Sequence, residues 1–184
     1  MADPDIFAVL PEIADIEDAG LRDGAVATWT TVWEQSGLGP RLLEVPFSIA
    51  APGEPLVGHI RVVAAAAEAL AEVVERRGHP PVDRDLLRTA CMLHDVDKPL
   101  MVEPLDGGGW RKSAAARRIG HATLGAMLCR EHGLPEPVVH LVLTHAVASP
   151  LAPEPFEGVL LHYADFFAAD TAFFDAGHPR LMDR

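Results

Sequence analysis

The chain has 184 residues, enough for one domain and short for two. Apolar residues make up 49%, so a sizeable core can be buried, and 15 Gly with 16 Pro stay below the range that signals disorder. A formal net charge of −12 argues against a nucleic-acid backbone partner and against adsorption to an anionic membrane, so an anionic substrate needs a local attractor such as a bound metal ion. The first residues, MADPDIFAVLPEIADIED, lack the basic start of a signal peptide, and apolar runs such as 62–67 are too short to span a bilayer. Cys91 and Cys129 sit in apolar helical runs and read as buried thiols, which fits a cytoplasmic location.

Apolar periodicity near 3.6 dominates and two-residue alternation is missing. Residues 1–50 read as an N-terminal helical extension. Within it a helix over 21–36 carries Val26, Trp29 and Trp33 on one face and is ended by Gly37 and Gly39-Pro40. Residues 38–58 hold four prolines and read as an irregular connection. A long helix follows over 57–77, stopped by Gly78, then one over 83–95 with Asp83 or Asp85 near its N-cap. Asp106-Gly107-Gly108-Gly109 reads as a turn. Further helices are expected over 119–132, 136–147 and 156–174. The sum is six or seven helices in one all-α domain spanning 1–184. A tryptophan exposed at 29 or 33 would mark a face for self-association.

Nine histidines in an acidic chain invite a metal reading. His59 opens the helix whose inward stripe is read as Val63, Ala66, Leu70 and Val73. His94 and Asp95 end LLRTACMLHD, where Leu86, Leu87, Ala90 and Leu93 share their face. His121 starts a stripe with Leu124, Gly125 and Leu128. His145 ends one with Val138, Leu141 and Val142. Asp165 lies with Leu161 and Ala168 in a helix expected also to bury Phe166 and Phe167. Singly, each has a plain explanation, such as a core histidine bonded to a carbonyl. Together, polar groups on five apolar stripes are harder to dismiss, because burying an unpaired carboxylate is costly and coordination offsets it. The other histidines are weaker: His79 reads as solvated, His132 as a helix-end charge, His140 as exposed, His162 as a neighbour of the site, and His178 as part of the polar tail.

The order His59, His94-Asp95, Asp165 in a helical chain resembles the HD-domain superfamily of metal-dependent phosphohydrolases, in its two-metal form with extra histidines. GHIRVVAAAAEALAE, CMLHDVDKPL, GHATLGAMLCREHGLPEPVVHLVLTH and LHYADFF carry the resemblance, over an HD core of about 57–170. It implies a compact multi-helix bundle in which His59, His94, Asp95 and Asp165 bind a first ion. Asp95 would bridge to a second ion completed by His121 and His145. Asp97 departs from the pattern, since many relatives have glycine there. Thr144 before His145 and the lack of a Gly-Tyr-Pro triplet argue against the cyclic-dinucleotide branch.

Imidazole and carboxylate donors favour Fe or Mn, with Zn, Co, Ni or Mg also able to bind. The expected reaction is hydrolysis of a small phosphorylated metabolite or nucleotide by metal-activated water, with Asp95 and Lys98 as catalytic residues. Lys98, one turn past the His-Asp pair, is assigned to the phosphate, with Arg117 or Arg118 as the substitute anion contact. The 106–112 loop with Trp110 could cover the cleft, and 38–58 with 99–118 would shape specificity. Some relatives with this histidine set are mixed-valent di-iron oxygenases that oxidise a C–H bond with O2, which stands as the alternative. A non-catalytic sensor domain is the second alternative.

Overall fold

The computed structural model describes residues 5–146, 149 and 151–183. Residues 1–4 of the expected extension, and Val147 at the end of the expected 136–147 helix, lie outside them. Eight α-helices occur among the described residues: α1 Ile6–Val9, α2 Ala19–Ser36, α3 Leu56–Arg76, α4 Arg84–Leu93, α5 Lys98–Met101, α6 His121–Glu131, α7 Glu136–Thr144 and α8 Phe156–Asp175. Two small antiparallel hairpins, β1 Pro46–Ser48 with β2 Ala51–Pro55 and β3 Val102–Pro104 with β4 Trp110–Lys112, complete an all-α architecture. No helix among the described residues is long and apolar enough to cross a membrane.

Helix α4 lies at the centre, against α2, α3, α7 and α8. Its start is set by Asp83, whose carboxylate accepts from Leu86 N at 3.0 Å. Asp85 reaches back instead and accepts from the backbone N–H groups of Glu17 and Asp18, tying the N-terminal segment to this helix. From Thr89 to Asp97 every residue is buried. Arg84, Asp85 and Arg88 keep the first turns of α4 near the surface, while Ala90 to Leu93 bury its end, so the His-Asp pair that follows is carried into the interior. One cluster of buried residues joins Ile6, Leu10, Ile13, Ile16 and Trp29 to the core of α3, α4, α7 and α8.

Several faces differ from the expectation. Trp29 is buried and its indole N–H donates to Met92 O at 2.9 Å, so it marks no self-association face. The inward set on α3 is His59, Ile60, Val63, Ala67 and Ala71, while Val73 is 45% exposed. Successive steps of three and four residues follow 3.6 per turn and leave Val73 on the far side. On α8 the buried residues are Glu157, Gly158, Leu160, Leu161, Ala164, Ala168, Ala169, Ala172 and Phe173, while Phe166 is half-buried and Phe167 is 59% exposed. The alanines of α3 and α8 let the two helices approach closely, and the rings of Tyr163, Phe167 and Phe174 are turned outward, whereas Phe173 is buried.

The region read as irregular, 38–58, holds a 3₁₀ turn at Gly39–Glu44 and the β1–β2 hairpin before α3 begins. A three-residue strand flanked by prolines has no alternation to read. Likewise 106–109 is the tip of the β3–β4 hairpin, where Gly108 and Gly109 take φ of 91° and 82°.

Helices α7 and α8 meet so tightly at Gly158 that an added Cβ would lie 2.6 Å from both Leu141 Cδ2 and Pro153 Cβ. Gly158→Val is therefore expected to lower stability by about 2 kcal/mol, overpacking outweighing any gain in helix propensity. Chemical denaturation measures this, and unchanged stability would contradict the close approach.

Candidate metal centre

Four histidines and three aspartates converge where the apolar stripes end. His59 lies in the first turn of α3, His94 caps the C-terminus of α4, His121 opens α6 and His145 caps the C-terminus of α7. Asp165 comes from the middle of α8, not from an end. His59, His94, Asp95 and His145 are each 1% exposed or less. All six residues singled out as ligands are thus brought together.

The two oxygens of Asp95 face different partners. Oδ2 lies 3.4 Å from His94 Nε2 and 3.6 Å from His59 Nε2. Oδ1 lies 3.5 Å from His121 Nδ1 and 3.6 Å from His145 Nε2. Two groups able to hold an ion result, His59–His94–Asp95 and Asp95–His121–His145, sharing the one carboxylate. Asp165 Oδ1 joins the first group at 3.0 Å from His59 Nε2 and 3.8 Å from His94 Nε2.

The rings are held by local backbone. The Nδ1 of His94 bonds Cys91 O at 2.8 Å and that of His145 bonds Val142 O at 2.6 Å. With Nδ1 donating to a carbonyl three residues back, each ring turns Nε2 towards Asp95, where the lone pair of the neutral ring is free for a cation. The plain reading, a core histidine bonded to a carbonyl, and the ligand reading hold for the same two rings. His162 supports His145 from behind, its Nδ1 lying 3.2 Å from His145 O. The Phe47 ring of β1 stacks on His59 at 4.5 Å between centroids.

Charge follows from the packing. Burial would raise the Asp95 carboxyl, but the Lys98 ammonium and the His94 and His145 rings outweigh it and hold it well below the usual range. Burial is likewise overcome at Asp165, where the His59 hydrogen bond and the His94 ring bring it to about 2. His94 is raised, because Asp95 and Asp165 outweigh its burial, whereas burial wins at His59 and lowers it. Lys98 Nζ stands 2.5 Å from Asp95 Oδ2 and 5.0 Å from the Phe47 ring centre, so its partner is Asp95 and not a surface acid.

These residues fit divalent cations. Two buried carboxylates, Asp95 and Asp97, and the half-buried Asp165 stand against the one ammonium of Lys98, a negative excess that cations would offset. Both oxygens of Asp97 and the Nδ1 of His121 are buried without a hydrogen bond, which such a centre would explain. Imidazole and carboxylate donors suit first-row divalent ions.

A cleft of about 260 Å³ opens beside the centre, lined by Phe47, Lys98, Met101, Lys112, Ile119 and His121 among others. Sequence reasoning singled out neither Phe47 nor Lys112, although both fall in the segments 38–58 and 99–118 expected to shape specificity; each stands on a three-residue strand with no periodic signal. Neither Arg117 nor Arg118 is among its lining residues, and Arg117 donates to Lys112 O instead. Arg61 turns away to Glu12, and Trp110 packs beneath the Arg41 guanidinium. Away from the site, His79 stacks on Phe156 and is not merely solvated, and His132 bonds Thr31 Oγ1. His140 is half-buried and accepts from Glu154 N, and His178 is exposed.

A family model described as HD domain matches residues 56–170, well over half of the chain. No curated protein and no solved structure matches.

Proposed function

The chain belongs to the HD-domain family, a class of metal-dependent phosphohydrolases, and from that premise we propose that it hydrolyses a small phosphorylated metabolite or nucleotide with two divalent ions, Fe or Mn. The observation that carries the two-ion reading is the division of Asp95 between two pairs of imidazoles. His59, His94, Asp95 and Asp165 would hold one ion, and Asp95, His121 and His145 the other. Such ions, when bound, supply an activated water and a clamp for phosphate oxygens.

The rest of the chemistry belongs to the cleft. Lys98 and Lys112 supply positive charge at its walls in a chain of net charge −12, which favours a small anion there over the acidic surface elsewhere. Phe47, Met101 and Ile119 give the same cleft an apolar side that excludes water from the reacting end and receives the organic part of the substrate. A cytoplasmic setting belongs to the same reading and is supported by Cys91 and Cys129, both buried free thiols.

Elemental analysis of protein purified without chelator, followed by a phosphatase screen with several divalent ions, tests this. Two ions per chain and phosphate release are expected. His121→Ala and His145→Ala should each lose one ion and keep the other. O2 uptake with the EPR signal of a half-reduced iron pair, and no phosphate release, would favour the oxygenase. Protein that binds no ion would favour a non-catalytic sensor.

A further inference from the structure

We infer that Asp97 is an additional anionic donor to the second ion, beyond the six residues of the two-ion reading on which this inference rests. Asp97 is fully buried, and neither carboxylate oxygen has a hydrogen-bond partner. It follows Asp95 by two residues at the turn into α5. Its Oδ1 lies 3.7 Å from His121 Nδ1, and that nitrogen lies 3.5 Å from Asp95 Oδ1. His121 Nδ1, itself without a hydrogen bond, is therefore flanked by two carboxylates.

Helix α6 makes room for this carboxylate. A Cβ added at Gly125, one turn after His121, would stand 3.2 Å from Asp97 Oδ1 and 3.2 Å from Val142 Cγ1. A glycine there spares the oxygen a methyl contact. A lone buried carboxylate is otherwise a liability to the fold, because no protein donor repays its lost hydration. A cation on the His121–His145 side of Asp95 removes that liability. Asp97 adds a full negative charge to a group that otherwise has only its share of Asp95, so it acts on affinity for the second ion and leaves the first group untouched.

Asp97→Asn keeps the shape and removes the charge. Equilibrium dialysis against graded Mn2+ with elemental analysis should show the second ion's Kd weakened at least tenfold and the first unchanged. In ion-free protein the melting temperature should rise, because an uncompensated buried charge is gone, and the rise on adding Mn2+ should shrink. Gly125→Ala, which crowds the carboxylate, should weaken the same ion by a smaller factor and decides the matter should the asparagine variant fail to fold. Wild-type Kd values for both ions in both variants would overturn the inference while leaving the two-ion reading standing. A lower ion-free melting temperature in Asp97→Asn with both Kd values intact would make Asp97 a structural residue only. Wild-type protein that never holds more than one ion would overturn the two-ion reading and this inference with it.

Discussion

Asp95→Ala protein is expected to hold neither ion and to release no phosphate. Asp95 is the residue that both groups of candidate donors share, one oxygen to each. Its loss leaves His59, His94 and Asp165 on one side and His121, His145 and the inferred donor Asp97 on the other, with no carboxylate shared between them. The Lys98 ammonium, 2.5 Å from the lost carboxylate, would also remain next to both empty groups and oppose a cation. By contrast, His121→Ala or His145→Ala removes a donor from one group alone. Asp95→Asn repeats the test with the shape retained, since an amide oxygen is a far poorer donor to a divalent ion than an ionised carboxylate. Elemental analysis and phosphate release on the same preparation provide the measurement. Full metal occupancy in either variant would rule out the assignment of Asp95 as the bridge.

Lys98→Ala is expected to keep its ions and lose turnover by ten- to a hundredfold. A protonated lysine has no lone pair to donate, so metal content does not depend on it. Its side chain is 18% exposed, enough to open onto the cleft while resting on Phe47 and Asp95. A charge-assisted hydrogen bond to a phosphate oxygen is worth roughly 1.5–3 kcal/mol, which sets the range if it acts mainly on the transition state. The measurement is kcat/KM alongside metal analysis. Turnover near wild type would move the anion contact to Lys112, the other cation on that wall, and not to Arg117 or Arg118.

Helical period made the six candidate donors legible. His94 and Asp95 continue the apolar face of α4 by one step, and His145 does so for α7, so a polar group at the end of each stripe could be placed without coordinates. Asp97 could be noticed as a departure from its relatives, but its burial could not be read, because it lies in a turn where no period applies. Phe47 and Lys112 stand on β1 and β4, strands of three residues each, too short for a pattern. The aromatic side of α8 misled for another reason. Hydrophobicity ranks Phe167 above Ala168, yet the close approach of α3 rewards the smaller residue, and Tyr163, Phe167 and Phe174 face outward. Trp29 is the opposite case, drawn inward by a carbonyl on α4 that lies 63 residues away in sequence.

The Phe47 ring belongs to a stretch of chain that precedes residues 56–170, yet it lies flat against His59 and also meets Phe173 on α8. One side of the cleft, formed by residues 46–49, is thus inherited on a segment separate from the proposed ion ligands. Drift in the β1–β2 hairpin can reshape what the cleft admits while every residue that would hold an ion stays constant. Two chains with identical His-Asp signatures can for this reason differ in selectivity. A graft of residues 56–170 would carry every proposed ligand yet leave behind the Phe47 side of the cleft and the part of the core that Ile6 to Val45 supply.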